Sequence, residues 1–258
     1  MGSDQVDFEQ TAADYRNFRA GFPDEFFRRL GEQIGLRAGQ KALDLGTGTG
    51  TIARGLAARG MQMVGIDPAA RLLQEAAALD RLAGVDVIYR EGRAEALSFA
   101  DGAFDLVVAG QCWHWFDRRA AAAEAFRVLM PGAAIAIAHF DWLPLPGSVV
   151  EATEALILRA NPRWTMAGGT GIYPQWLGDL AGAGFTGLET QSFDLVQPYS
   201  HEAWRGRIRA SAGVGASLDE AAIAAFDAEL GTLLASAYPD EQLAVPHRVW
   251  WVMGRRPK

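Results

Sequence analysis

The stretch LDLGTGTGTIARGL, residues 43–56, combines three local signals. An apolar run typical of a buried strand holds one carboxylate, Asp44, and glycine then recurs at positions 46, 48 and 50 before a segment of helical composition. Such glycines make a tight turn that a ligand can approach closely, and the first N–H groups of the next helix can bind it. The stretch predicts a strand–turn–helix unit, either as a plain tight turn or as a binding site beside a parallel sheet.

Strand-like and helix-like stretches alternate up to residue 140. This alternation predicts parallel βαβ units with right-handed crossovers. We expect strands at 41–46, 61–67, 85–92, 104–110 and 133–140, and helices at 51–60, 68–82 and 120–130, the last stopped by Pro131 and Gly132.

The pattern becomes less regular after residue 140, where prolines, glycines and tryptophans accumulate. We expect a sixth strand at 186–196, one or two helices within 200–237 and a final strand at 247–257. Residues 1–258 are interpreted as one domain. Its core is expected at about 35–140, 174–196 and 246–257, with helical cap insertions at about 141–173 and 197–245 and an N-terminal helical lid at about 7–30.

Composition narrows the class of protein. The formal net charge of −7 argues against nucleic acid as a partner, because binding to phosphates needs a basic surface. The single cysteine, Cys112, allows no intrachain disulfide, and we expect it to be a packing residue. The polar N-terminus has no apolar segment of a secretory signal, and no apolar run of membrane-spanning length occurs. We therefore expect a cytoplasmic protein with no membrane partner, and the sequence leaves open whether it forms a homodimer.

Two acidic residues sharpen the prediction of a binding site. Asp44 precedes the glycines, and Asp67 ends the second strand 21 residues after Gly46, where a carboxylate can accept hydrogen bonds from both hydroxyls of a ribose. Thr51 occupies the sixth position of the dinucleotide fingerprint, which requires glycine or alanine there. The pattern indicates a nucleoside ligand without a pyrophosphate and disfavours an NAD-dependent oxidoreductase.

Four stretches within residues 40–140 together resemble class I S-adenosylmethionine-dependent methyltransferases of the small-molecule, methyltransferase domain 11 type. They are LDLGTGTG, VGIDPAARLLQEA, EGRAEALSFADGAFDLVVAGQCWHWF and AFRVLMPGAAIAI. The resemblance implies an α/β fold: a seven-stranded, mostly parallel Rossmann-like sheet with its last strand antiparallel and helices on both faces. It also implies S-adenosylmethionine as cofactor.

The resemblance assigns roles to individual positions. The glycine turn would lie under the methionine part of the cofactor and Asp67 would hold the ribose. Arg93 departs from the family, in which many members have aspartate, so a backbone contact to the adenine replaces a carboxylate there. The residues expected at the cofactor are Tyr15, Arg19, Asp44, Gly46, Thr47, Gly48, Gly50, Asp67, Pro68, Arg93, Ala94, Glu95 and Gln111.

The segment GQCWHWFD, residues 110–117, follows the fourth strand and would face the transferred methyl group. His114 is interpreted either as a packed histidine or as a general base, since an imidazole pKa of about 6.5 suits proton removal near neutrality. His139 is a second candidate base. The residues expected around the methyl acceptor are Trp113, Trp115, His139, Trp142, Trp164, Trp204 and Arg205.

The tryptophans indicate an apolar or aromatic acceptor, whereas Arg205 and Arg209 would suit an anionic one such as a carboxylate. The histidines are too scattered in sequence to predict a metal site. A nucleoside-binding protein without catalytic activity is the remaining alternative.

Overall fold

The computed structural model describes residues 21–258. The elements follow one another as α1 (Asp24–Ile34), β1 (Lys41–Leu45), α2 (Thr51–Ala57), β2 (Gln62–Asp67), α3 (Ala70–Ala83), β3 (Val87–Glu91), β4 (Phe104–Gly110), a single 3₁₀ turn (Trp113–Trp115), α4 (Arg118–Val128), β5 (Leu129–Trp142), α5 (Val149–Ala160), α6 (Gln175–Gly182), β6 (Thr186–Ser200), α7 (His201–Arg209), α8 (Glu220–Ala237) and β7 (Gln242–Arg255).

The seven strands form one sheet in the order β3-β2-β1-β4-β5-β7-β6. β1 pairs in parallel with β2 and β4, and β4 pairs in parallel with β5. The last strand runs antiparallel to β5, because the N–H of Arg256 bonds to the carbonyl of Ala133 at 2.9 Å and the N–H of Leu143 bonds to that of Pro246 at 2.8 Å. The predicted fold class is confirmed. The strand order reverses between β1 and β4, the position where open α/β sheets bind ligands.

Helices cover both faces of the sheet because successive strand residues point to opposite sides. Leu43 and Leu45 of β1 pack in the cluster that also holds the buried residues of α4 and α6, whereas Asp44 between them faces α2. Trp250 and Trp251 of β7 likewise point to opposite faces of the sheet. Trp250 lies in the cluster with Leu43 and Leu45, and Trp251 packs edge-on against Phe26 of α1.

β5 begins earlier than the sequence predicted. Helix α4 ends at Val128, and the strand starts directly at Leu129 and includes the Pro131–Gly132 pair that was expected to separate the two elements. The register explains the difference: Phe104 pairs with Leu129 but Leu106 with Ala134, so the intervening residues form a bulge where proline and a glycine with φ of 82° are tolerated. β7 likewise starts at 242 rather than 247, and β6 extends to 200.

The described residues divide into two compact units. The sheet unit comprises 21–140, 173–193 and 249–258, and the helical unit comprises 141–172 and 194–248. The helical unit has its own apolar core, in which Trp204, Leu230 and Leu234 are fully buried between α5, α7 and α8. Both predicted insertions fall mainly in this unit, and their role as a cap stays a prediction.

Candidate active site

The glycine turn between β1 and α2 adopts a backbone that only glycine accommodates without strain. Gly46, Gly48 and Gly50 have φ of 60°, 55° and 77°. A Cβ on Gly46 would lie 3.0 Å from Cys112, and one on Gly50 would lie 2.2 Å from the Tyr89 hydroxyl. A Cβ on Gly48 would meet no atom of residues 21–258 within 4 Å. The first and third glycines are therefore needed for packing, whereas Gly48 borders open space that a ligand can enter.

The carboxylate of Asp44 holds this turn in place. Its Oδ2 accepts the Thr47 hydroxyl at 2.7 Å and the N–H of Ala53, in the first turn of α2, at 3.2 Å. Burial raises the pKa of Asp44 to about 7, and the hydrogen bonds from Thr47 and Ala53 oppose the rise. Asp44 was expected at the cofactor, and the structure gives its carboxylate a direct role in shaping the turn. Thr47 in turn donates its N–H to the carbonyl of Ile66 at 2.9 Å.

Asp67 lies at the carboxyl end of β2, beside the same turn. Its Oδ2 accepts the N–H of Gly48 at 2.9 Å, and its Oδ1 accepts the N–H of Ala69 at 2.9 Å. Burial raises the pKa of the Asp67 carboxyl against the effect of these two bonds. A carboxylate offers about four acceptor positions, so two remain for a ligand. Pro68, between these contacts, is exposed.

The segment after β3 carries three predicted cofactor residues, and each has a different environment. Ala94 is buried in the core of the sheet unit. Glu95 accepts the N–H of Asp117 at 3.1 Å, which joins the segment to the start of α4. Arg93 is largely exposed and lies 3.6 Å from Glu95. The side chain of Ala94 is thus committed to packing, and its backbone is the part left to line a ligand site.

Gln111, directly after β4, has φ of 60°, and among residues 21–258 it is the one non-glycine residue in the left-handed region. Its backbone N–H bonds to the carbonyl of Ala138 at 2.9 Å and its Nε2 donates to the carbonyl of Phe140 at 2.9 Å. These two carbonyls flank His139 on β5. Strained backbone of this kind persists where the surroundings fix it, commonly at functional sites.

His114 and His139 meet at this end of the sheet. Nδ1 of His114 lies 3.3 Å from Nε2 of His139. His139 is buried, with ring centroids 4.5 Å from Tyr173 and 5.4 Å from Trp176. His114 is half-buried and packs against Trp115, which is 45% exposed. The structure thus brings both predicted bases together beside an exposed aromatic surface.

The other residues expected around an acceptor occupy different environments. Trp113 is fully buried, and its Nε1 donates to Asp179 at 3.0 Å, so it packs α6 against the 3₁₀ turn instead of lining a cavity. Cys112 is buried beneath the turn, and its Sγ contacts the carbonyl of Leu45 at 3.1 Å, which agrees with a packing role.

Four of the expected residues belong to the helical unit. Trp204 is fully buried and donates to the Thr153 hydroxyl at 3.0 Å. Trp142 donates to Glu154 at 2.8 Å, and Trp164 packs against the same core. Arg205 forms an ion pair with Asp227, which also pairs with Arg209. Trp204 is therefore a core residue, and Asp227 offsets the basic face that was considered for an anionic acceptor. Tyr15 and Arg19 lie outside the described residues.

Sequence reasoning missed a polar cluster beneath the glycine turn. Arg54 of α2 donates to Asp80 of α3 at 2.7 Å and to the carbonyl of Thr49 at 2.7 Å. Asp80 is buried, and the Tyr89 hydroxyl lies against Gly50. The sequence signal was one charged residue in each helix, Arg54 in α2 and Asp80 in α3. Only the tertiary structure shows that these two residues pair. Residues 21–258 hold no cluster of three potential metal ligands.

Across the described ranges, no helix combines the length and apolar character needed to span a membrane. Comparison with known proteins identifies similarity to methyltransferases. A family model described as a methyltransferase domain matches residues 43–137, which include the glycine turn, Asp67 and the 3₁₀ turn.

Two relatives and one solved structure illustrate the similarity. An uncharacterised methyltransferase of Schizosaccharomyces pombe is 28% identical over 200 residues, which cover 76% of this chain and 74% of the relative. Demethylmenaquinone methyltransferase of Thermus thermophilus is 37% identical over 118 residues, 44% of this chain and 54% of the relative. The structure of Haemonchus contortus phosphoethanolamine N-methyltransferase 2 with phosphomonomethylethanolamine and S-adenosylhomocysteine is 18% identical, with a TM-score of 0.60, and the match covers 100% of this chain and 61% of that chain. This last likeness concerns the fold.

Proposed function

The chain belongs to the class I S-adenosylmethionine-dependent methyltransferases, and we propose that it methylates a small-molecule acceptor at the carboxyl end of β4. The observation that carries this proposal is the bond between the N–H of Gly48 and Oδ2 of Asp67, 2.9 Å long. It joins the glycine turn to the carboxylate that suits a ribose, beside the point where the strand order reverses.

The residues present fit the cofactor. Gly48 borders open space, so a ligand can approach the backbone at van der Waals distance. Asp67 keeps two acceptor positions for the ribose hydroxyls, and the backbone of Ala94 with Glu95 is proposed to border the adenine. Asp44 and Thr47 hold the turn in the geometry that this contact needs.

S-adenosylmethionine supplies an electrophilic methyl group on a sulfonium sulfur. The chain's own contribution is to orient the acceptor, exclude water and take up a proton. We propose that His114 is the general base, because it is half-buried and lies next to the end of β4. Gln111 fixes the path of the backbone between β4 and His114 through its two bonds to β5.

The acceptor is proposed to be apolar or aromatic and to carry a hydroxyl group. Trp115 presents an exposed ring 4.5 Å from the ring of His114, a surface suited to packing against a flat apolar molecule. The name of the Thermus relative gives demethylmenaquinone as that enzyme's acceptor. The anionic alternative is less favoured because Arg205 is already paired with Asp227.

Calorimetry with S-adenosylmethionine, S-adenosylhomocysteine and NAD tests the assignment of the site. We expect binding of the first two and none of NAD, and binding of NAD alone would support the oxidoreductase alternative. The acceptor class is then tested with 1-naphthol, 1-naphthylamine and 1-naphthoic acid, with formation of S-adenosylhomocysteine as the readout. Preferential turnover of the naphthol supports the proposal, whereas preference for the naphthoate supports an anionic acceptor. Cofactor binding with no turnover of any acceptor in a broad panel would favour a nucleoside-binding protein.

A further inference from the structure

The two histidines of the site form a hydrogen-bonded pair. Nδ1 of His114 and Nε2 of His139 are 3.3 Å apart, and their ring centroids are 5.2 Å apart. One proton is shared across this contact, because two bare nitrogens would make no bond and two N–H groups would repel. The proton therefore resides either on His114, which donates to His139, or on His139, which donates to His114.

The two rings differ in their surroundings. His139 is 4% exposed and lies between Tyr173 and Trp176, whereas His114 is half-buried beside Trp115. The titratable phenol of Tyr173 belongs to the ring that lies 4.5 Å from His139, centroid to centroid. Helix α6, which carries Trp176, also carries Asp179, and this carboxylate lies 3.5 Å from the guanidinium of Arg118 on α4. A positive charge is therefore less costly on His114 than on the ring of His139, which aromatic side chains enclose.

The backbone fixes the position of the buried ring. Gln111 bonds to the carbonyls of Ala138 and Phe140, one on each side of His139, and adopts φ of 60° to do so. This clamp ties the segment that carries His114 to the strand that carries His139. The distance between the two rings is thus set by covalent geometry and hydrogen bonds on both sides.

We infer that His139 is a positioning residue for His114: it accepts the Nδ1–H of His114 and holds that ring in the tautomer whose Nε2 carries the lone pair. Of the two arrangements, this one needs no rearrangement when His114 gains a proton, because Nδ1–H continues to donate to His139. In the opposite arrangement Nε2–H of His139 donates to Nδ1 of His114. Protonated His114 would carry N–H groups on both ring nitrogens, so His139 would have to lose its Nε2 proton first. The inference rests on the proposed role of His114 as base, and it deepens that role by naming the reacting nitrogen.

The step balances for a hydroxyl acceptor. The acceptor oxygen forms a bond to the methyl carbon as the carbon–sulfur bond of the cofactor breaks, and the sulfur keeps the bonding electrons as a neutral thioether. The hydroxyl proton goes to Nε2 of His114, and the imidazolium is stabilised by its Nδ1–H bond to His139. The pair thus selects nucleophiles that arrive with a proton, such as hydroxyl groups.

NMR of the full chain labelled with ¹⁵N-histidine tests the inference without an acceptor. Long-range ¹H–¹⁵N correlations distinguish protonated from bare ring nitrogens, and we expect neutral His114 to carry its proton on Nδ1. In His139→Phe, His114 loses the acceptor of its Nδ1–H and should shift to the Nε2–H tautomer, whereas His139→Gln should keep the Nδ1–H form because the amide oxygen can accept it. His201→Gln is the matched control, since His201 bonds to the carbonyl of Tyr238 in the helical unit.

An Nε2–H tautomer of His114 in the wild-type protein would overturn the inference, even if no variant folds. An unchanged tautomer in a folded His139→Phe variant would overturn it as well. With 1-naphthol as the probe, His139→Phe should lower kcat at least about tenfold with an unchanged KM for S-adenosylmethionine. If the tautomers are as expected but His114 variants retain full activity, the proposed base fails and the assignment of the pair stands.

Discussion

Asp67, at the end of β2, accepts the backbone N–H of Gly48 at 2.9 Å, so the second strand holds the glycine turn that follows the first. The same carboxylate caps Ala69 before α3. One buried acid therefore organises two backbone segments and still has acceptor positions for a ligand.

We predict that Asp67→Asn lowers the affinity for S-adenosylmethionine about tenfold or more. Asparagine replaces one acceptor oxygen by a donor, so the ribose loses a charge-assisted bond worth about 1.5–3 kcal/mol. Calorimetry measures the dissociation constant. Asp105→Asn is the matched control, because Asp105 accepts the N–H of Lys41 at 2.9 Å at the amino-terminal ends of β1 and β4, whereas Asp67 lies at the carboxyl end of β2. An unchanged affinity in folded Asp67→Asn would remove this residue from the cofactor site.

Gly48→Ala separates backbone strain from ligand contact. Gly48 and Gly84 have φ of 55° and 66°, and a Cβ on either would meet no atom of the described residues within 4 Å. Both alanine variants should lose about 1–2 kcal/mol of unfolding free energy through the strained φ. Only Gly48→Ala should also weaken cofactor binding, because Gly84 ends α3 away from the turn. Equal cofactor affinities in the two variants would contradict a close approach at Gly48.

Asp44 should make stability depend on pH in an unusual direction. Burial raises its pKa to about 7 from the ordinary 3.8, so between these values the folded protein binds a proton that the unfolded chain releases. The contribution of Asp44 to the unfolding free energy is therefore greatest below pH 4 and declines as the pH rises to 7. Relative to the wild type, Asp44→Asn should gain about 2 kcal/mol between pH 5 and pH 8. Urea unfolding at the two values measures this difference, and a difference independent of pH would show that Asp44 is charged in both states.

His114→Asn should lower the rate of methyl transfer about 100-fold with an acceptor that the wild-type enzyme turns over, because the acceptor's proton loses its base. Cofactor affinity should stay the same, and His201→Asn should behave like the wild type. The pH–rate profile provides the second measurement. A rising acid limb in the histidine range that persists in His114→Asn would assign the base to another group.

The sequence was sufficient where structure depends on near neighbours. β4 was predicted at its observed bounds. The glycines at 46, 48 and 50 indicated a turn, because glycine adopts a positive φ without strain and this preference is local. Prediction was wrong at the start of β5, because Pro131 and Gly132 usually end elements. The bulge opposite Phe104 and Leu106 accommodates them within the strand.

The candidate site shows the same division at the level of side chains. Its residue types, and their order along the chain, were readable from the sequence: an acid within each of two strands, a glycine turn and an aromatic segment with His114. The sequence could not show that Trp113 and Trp204 are core residues or that Arg205 is paired, since burial and ion pairing depend on what packs from distant segments.

The sequence by itself determined the alternation of strands and helices and the glycine turn, because both follow from periodicity and local backbone preference. Only the tertiary structure decided that Asp44 holds the turn, that Gln111 clamps β5 and that His114 meets His139 at 3.3 Å. Those contacts depend on strand register and on the packing of helices against the sheet. A shift of one residue in the register of a strand would move its side chains to the opposite face of the sheet, and these contacts would be lost.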